Sequence, residues 1–388
     1  MNLMRLIRLL LLAVIVCLIA YSYHPDNFDI TGVLINSSYS KYAAILIGVL
    51  FMLSLNSVKE VLSLKPIRIY IALLILIAIC FTSLYALSLT TTICEVRALV
   101  ISLFSMLLGA SFRLNNKEII LISIIFSIAV LSIGYLQISQ NMGNFSIEDG
   151  YINTAKNAFG PLVAIAGTLS VLITFTPSIN IFVRTISVLI SILALVEIAT
   201  IRARLATITF LLLSAFIIYK NFKRLSKVKA HTGIYYIVGA IIVAIAFIGL
   251  HEYVWDSLTR NKEGDFTSGR LGVYYDGIDI FSQNPLWGNL VVNEKIAWVH
   301  NYLLLILSEY GIIISLPLLI LFFYLLSIIV KGIRRADVSI PQNYGLIIIL
   351  ISFIISLGEP TYPYGPGTTN FLPFLLFGVS IGYNHKTR

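Results

Sequence analysis

Ile119-Ile120-Leu121-Ile122-Ser123-Ile124-Ile125-Phe126-Ser127-Ile128-Ala129-Val130-Leu131-Ser132-Ile133-Gly134 decides the fold. The run carries no charged side chain, and with its flanks it predicts a helix over 118–136. At about 1.5 Å of rise per residue, such a helix crosses a bilayer core of roughly 30 Å. Stretches of the same kind recur from end to end of the 388-residue chain. The others lie near 6–22, 40–57, 69–88, 96–112, 158–176, 181–200, 205–219, 233–250, 300–330, 342–357 and 371–384. The composition agrees: 58% of residues are hydrophobic and 12% charged, whereas a soluble domain is about 25% charged. The expectation is an all-α polytopic membrane protein with about twelve spans. It would form one integral membrane domain over 1–388, with no separate soluble domain. The long 300–330 segment implies a tilted span or one that continues past the membrane.

The first span resembles a signal peptide, with a basic start at Met1–Arg8 and an apolar run from Leu9 to Tyr21. Ala20-Tyr21-Ser22 offers no small-x-small cleavage pattern, so a retained span is expected. Basic residues concentrate on cytoplasmic loops. With the N-terminus inside, 18 of the 27 Lys and Arg fall on the cytoplasmic side. They include Arg5, Arg113, Arg184 and the cluster from Lys220 to Lys229. Only Glu60, Glu118 and Asp337, of 18 acids, share that side. Both termini are therefore expected in the cytoplasm.

That orientation makes the outward-facing charges informative. Arg202 and Arg204 form a short outer turn, and Glu197 lies about one helical turn earlier, within a span. Charge at a membrane edge is costly; it marks either a working group or an ion pair that fixes the hairpin. The large outer loop, 251–299, contains Ser268-Gly269-Arg270 followed by Leu271, Tyr274, Ile278 and Phe281 at helical spacing. This predicts a short amphipathic helix on the outer membrane surface, capped by Ser268. Its N-terminal N–H groups and Arg270 suit an anion such as a diphosphate, although a solvated loop arginine would look the same. The loop turns at Asn284-Pro285-Leu286-Trp287-Gly288 and closes on His300-Asn301 at the mouth of the next span, with Glu309 inside it. His300 could be an interfacial polar residue or a base. The third outer loop, 358–370, is rich in Pro and Gly and predicts a shaped, non-helical turn.

Cys17, Cys80 and Cys94 sit in or beside apolar segments without metal or redox spacing, and the five histidines are scattered. No Walker A loop, GxGxxG or DxD motif is present; Asp276 and Asp279 make only a DxxD pair. No metal, cofactor or nucleic-acid partner is expected.

The order of these pieces resembles the O-antigen ligase and polymerase superfamily of bacterial polysaccharide assembly. The similarity rests on Ile201-Arg202-Ala203-Arg204-Leu205, Ser268-Gly269-Arg270, Pro285-Leu286-Trp287-Gly288 and His300-Asn301-Tyr302-Leu303 through Glu309-Tyr310-Gly311. It covers about 180–330, and Asn157-Ala158-Phe159-Gly160-Pro161 is similar to a turn upstream in that family. Ile201 stands where the family has Ser or Thr, the turn arginine is doubled, and the loop from Arg270 to His300 is short. The resemblance implies a metal-independent, inverting GT-C-like glycosyltransferase of the bacterial inner membrane. Its donor would be a glycan on undecaprenyl diphosphate. The acceptor would be a sugar hydroxyl on a second lipid-linked glycan or on lipid A–core. Arg270 and Arg202 or Arg204 would hold the diphosphate, and His300 would act on the acceptor hydroxyl. The motif wording and compact loop look more like the polymerases, which join repeat units. The short, basic chain looks like the ligases, which move finished polymer. Polymerase is the favoured expectation and ligase the alternative. A flippase for the same lipid-linked sugar is the reading from another class.

Overall fold

Backbone buried in lipid must satisfy its own N–H and C=O groups, so an apolar chain resolves into helices. In the computed structural model every described element is a helix. The structure describes residues 3–27, 36–84, 89–141, 156–177, 179–201, 203–225, 270–289 and 299–386. The helices are α1 (Leu3–Tyr21), α2 (Ser38–Met52), α3 (Leu55–Val61), α4 (Lys65–Ser83), α5 (Leu89–Phe112), α6 (Asn116–Asn141) and α7 (Lys156–Thr174). They continue with α8 (Ile181–Thr200), α9 (Arg204–Leu225), α10 (Arg270–Gln283), α11 (Tyr302–Arg335), α12 (Tyr344–Ile355) and α13 (Phe371–Lys386).

Seven of these, α1, α4, α6, α7, α8, α9 and α11, are long and apolar enough to cross a membrane. The pair α2 and α3, bent by 77°, makes an eighth if it is one span. The apolar part of α5, Val96–Phe112, is shorter, and α12 and α13 span 12 and 16 residues. The expected span 233–250 lies outside the described residues. The described residues thus form an all-helical protein with seven helices long and apolar enough to cross a membrane, which supports a membrane protein.

The chain divides into two compact units. The first comprises Met1–Leu50, Leu114–Arg260 and Ala336–Ile351. Its central helix is α7, packed by α6, α8 and α9, with Leu162 through Ala166 fully buried. Helices α1 and α6 run side by side in the same direction. At one end the Arg5 guanidinium forks onto Glu118, with Nε–Oε1 at 2.7 Å and Nη2–Oε2 at 2.8 Å. Glu118 and Asn115 also exchange side-chain-to-backbone hydrogen bonds, a capping box that starts α6. At the other end Gln137 Nε2 donates to the Tyr23 carbonyl at 2.7 Å, and Tyr23 meets Phe159 in the first turn of α7. Helix α7 thus runs back, and just past its end Thr176 is hydrogen-bonded to the Tyr344 hydroxyl. The α8–α9 turn returns to the α7 start, where a Cβ on Gly160 would strike Ala203. Arg5 and Glu118 collect at one end of this unit and the Arg204 turn at the other, the alternation the charge pattern predicts.

The second unit comprises Phe51–Arg113, Asn261–Arg335 and Ser352–Arg388. Helix α13 is its core and is buried from Phe371 to Ile381. It crosses α5 at backbone contact: a Cβ on Gly109 would meet the Leu375 carbonyl, one on Gly378 the Met106 carbonyl, and one on Gly382 the Ala110 carbonyl. Small residues of this kind let membrane helices pack by van der Waals contact where no hydrophobic force drives them together. The Tyr70 hydroxyl of α4 donates to the Leu99 carbonyl of α5 at 3.1 Å.

Helix α11 corrects one expectation. The long segment is not one continuous helix: it is broken at Gly311, with φ 65° and ψ 178°. Only glycine occupies that backbone region without strain. The break leaves the first N–H groups of the second half, 312–335, without intrahelical partners. The turn at Pro285–Gly288 supplies them. Ile312 donates to the Pro285 carbonyl at 2.8 Å and Ile313 to the Leu286 carbonyl at 3.3 Å. Gly288, also at positive φ, abuts Gly311 backbone to backbone. The Pro-x-x-Gly turn and the Glu-x-Gly segment are thus two halves of one joint.

Candidate functional site

Three segments of the second unit meet at the start of α11. The short strap Val299–Asn301 brings His300, the first residue of α10 is Arg270, and the chain leaving α12 brings Glu359. The strap lies along residues 356–358. The Tyr302 N–H donates to the Ser356 carbonyl at 2.9 Å, and Asn301 Nδ2 donates to the Leu357 carbonyl at 3.1 Å. Asn301 also caps α11, its Oδ1 accepting from the Leu304 N–H at 3.0 Å. Asn370, buried at the other end of the 358–370 loop, ties that loop down. Its Nδ2 donates to the Pro363 and Gly365 carbonyls, and its Oδ1 accepts from the Ser352 hydroxyl. The predicted shaped turn is therefore real, and its shape presents Glu359.

Glu359 joins the two residues singled out from sequence. Its Oε1 accepts from Arg270 Nη2 at 3.0 Å, and its Oε2 lies 3.8 Å from His300 Nδ1. Arg270 Nη1 donates to the Gly358 carbonyl at 2.9 Å. The Tyr274 hydroxyl, one turn along α10, donates to the His300 carbonyl at 2.9 Å. The Glu359 side chain is 12% exposed, Arg270 27% and His300 31%, so the cluster is shielded without being closed. Burial, and then the positive charge of Arg270, push the His300 pKa below its ordinary 6.5. The imidazole is therefore neutral at pH 7. Burial raises the Tyr274 hydroxyl pKa; Arg270 lowers it and Glu359 raises it further.

His300 Nδ1 is buried without a hydrogen-bond partner and faces the carboxylate, which leaves Nε2 as the other ring nitrogen that could meet a ligand. Gly358 and Glu359 engage two of the five N–H donors of Arg270. The arrangement can do two things. It can accept a proton on a neutral imidazole oriented by a carboxylate, and it can donate hydrogen bonds to an anion from a guanidinium at a helix start. Glu359 cancels the formal charge of Arg270, so the anion attraction is weaker than the sequence suggested.

The remaining sequence candidates divide. Arg202 and Ser268 lie outside the described residues. Arg204 opens α9, half-buried, in the first unit. Glu197 is buried in α8 of that unit, its carboxyl seated where a Cβ on Gly134 would be. A helix, α10, lies where the amphipathic helix was expected, but its faces differ from the expectation. Tyr274 and Phe281 turn inward with the buried Gly277 and Ile280, while Leu271 and Ile278 are 49% exposed. Asp276 and Asp279 are exposed and contact nothing in the cluster. Among the described residues no three His, Cys, Asp or Glu side chains converge to hold a metal. Glu359 was missed. Its signal was its place, a lone acid beside a span in the Pro- and Gly-rich 358–370 loop. No protein-family model matches the chain, and no curated protein matches it in sequence.

Proposed function

We propose that this protein is a membrane glycosyltransferase with twelve spans, both termini cytoplasmic, and the Arg270–Glu359–His300 cluster on the outer face of the inner membrane. It takes a glycan from an undecaprenyl diphosphate carrier and joins it to a sugar hydroxyl, in the manner of an O-antigen polymerase. The second lipid-linked glycan is the acceptor. One observation carries this reading: a histidine and an arginine gathered on a shared carboxylate at the start of α11.

The chemistry balances without a metal. The acceptor oxygen attacks the anomeric carbon, and the bond from that carbon to the diphosphate oxygen breaks. The electron pair leaves with the diphosphate, which is stabilised by Arg270 and the N–H groups opening α10. The acceptor proton goes to Nε2 of His300. Glu359 faces Nδ1 and offsets the imidazolium charge that forms. Arg202 and Arg204 remain assigned to the diphosphate by the family resemblance alone.

The test uses purified protein in detergent with a short lipid-linked glycan as both donor and acceptor. Longer lipid-linked glycan should form, and His300→Ala and Arg270→Ala should each abolish it while the protein remains monodisperse. Gel analysis of lipopolysaccharide from a deletion strain then separates the activities. A single repeat unit on the core supports a polymerase. A bare core with polymer held on the carrier means a ligase. Normal ladders from both Ala variants would end the reading, and so would transbilayer movement of donor without product, which is the flippase outcome.

A further inference from the structure

Helix α10 has three faces, and the proposed chemistry uses only one. At about 100° per residue, Val273, Gly277, Ile280, Arg270, Phe281 and Tyr274 fall on one side. That side packs against α11: a Cβ on Gly277 would lie 3.1 Å from Val299 and 3.4 Å from Leu304. Asp276, Asp279 and Gln283 fall on a second side, all exposed. Leu271, Tyr275 and Ile278 form a third, roughly a third of a turn from the packed side. They are 49%, 64% and 49% exposed. Three large apolar side chains in a row, flanked by acids on one edge and by packed protein on the other, form a designed surface.

The same unit carries further exposed apolar side chains. The lipid-facing stripe of α11 comprises Ile312, Leu316, Ile320 and Phe323, which are 42–54% exposed and spaced at helical intervals. At its upper end Ile312 is hydrogen-bonded to the Pro285 carbonyl, next to Leu286, which is itself 54% exposed. Leu286 follows the end of α10 at Gln283 within a few residues. Exposed apolar side chains therefore stand on the second half of α11, on the turn hydrogen-bonded to it and on α10.

We infer that the Leu271–Tyr275–Ile278 face of α10 is seated in the bilayer, at the boundary between headgroups and acyl chains, with Asp276 and Asp279 turned to water. A helix lying in the interface has this division, and Tyr is a residue favoured at that depth. The seating holds Arg270, the first residue of the helix, at the level of lipid phosphates. This lipid face stands whatever group the Arg270 cluster binds.

Site-directed spin labelling tests it on the full chain, with Cys17, Cys80 and Cys94 changed to Ser. The protein is reconstituted in vesicles of phosphatidylethanolamine and phosphatidylglycerol. Tyr275→Cys, Ile278→Cys, Asp276→Cys and Asp279→Cys are labelled in turn, with Phe323→Cys as the lipid reference. Collision with oxygen relative to a water-soluble nickel chelate should be several-fold higher at 275 and 278 than at 276 and 279, approaching the value at 323. Equal nickel access on both faces would overturn the inference. Exclusion of both reagents from 275 and 278 would overturn it in favour of a covering protein. Tyr275→Trp in the cysteine-containing chain gives an independent reading: bromine on acyl chains near the headgroups should quench the added fluorescence, and no added quenching counts against the lipid face.

Discussion

Replacing Gly311 with Ala should disrupt the joint on which the candidate site rests. The residue sits at φ 65° and ψ 178°, a region open only to glycine at a cost on the order of 1–3 kcal/mol for other residues. An added Cβ also has nowhere to go, since it would strike the Leu286 carbonyl and the Gly288 N–H, both backbone. Relief requires moving the Pro285–Gly288 turn. That movement strains the two hydrogen bonds that cap the second half of α11, worth about 0.5–1.5 kcal/mol each. The total is on the order of 2–6 kcal/mol, a large share of a stability of about 5–15 kcal/mol. Gly272→Ala is the matched control. Gly272 lies inside α10 with nothing within 4 Å of its virtual Cβ, so alanine there should be neutral or stabilising by about 0.5–1 kcal/mol. Unfolding of the full chain in mixed dodecylmaltoside and SDS micelles measures both. The reasoning is refuted if Gly311→Ala unfolds within about 0.5 kcal/mol of the parent, the range of ordinary surface changes. It is equally refuted if Gly272→Ala loses as much.

Three further outcomes follow from the same geometry. Glu359→Gln removes the charge that offsets Arg270, so affinity for a lipid diphosphate should rise by on the order of 1–2 kcal/mol while turnover falls; equilibrium binding and turnover measured side by side would show both parameters falling together if this is wrong. Because burial and Arg270 push the His300 pKa below 6.5, the imidazole should stay neutral at pH 7 and the acid limb of activity should lie below pH 6.5. The same shift lowers stability as pH falls from 6.5 through the folded pKa, since the unfolded chain binds the proton first; a pH–rate profile with its acid limb above 6.5 contradicts the assignment. Glu118→Gln should cost about 1–3 kcal/mol by leaving the partly exposed Arg5 fork half made, and a double-mutant cycle with Arg5→Gln should show a favourable coupling of about 1–2 kcal/mol, absent if the pair is only a surface contact.

Much of this architecture was legible because lipid imposes a simple code. Apolar runs such as Ile119–Ile133 announce helices, and the basic residues near Arg5 and Arg184 announce which ends belong together. A helix through Leu271–Phe281 was equally plain from helical spacing. Its orientation was not: Leu271 and Tyr274 are both apolar enough for either lipid or protein, so periodicity alone merged two neighbouring faces into one. Gly311 looked like an ordinary helix residue, because its role depends on a turn more than twenty positions earlier. Glu359 is separated from Arg270 by 89 positions, and only the folded chain brings them to 3.0 Å. The Asn370 bonds that fix its loop are likewise invisible in sequence, since an asparagine before an apolar run reads as a simple helix cap.

The crossing of α5 and α13 has a mechanical consequence. Gly109 accepts the Leu375 carbonyl, while Gly378 and Gly382 accept the Met106 and Ala110 carbonyls in the opposite sense. Sockets cut into both partners resist sliding in either direction, like a mortise with a tenon on each side. Under a load along their axes the two helices must move as one body rather than shear. The 358–370 loop joins directly onto α13, so Glu359 is carried along with that body.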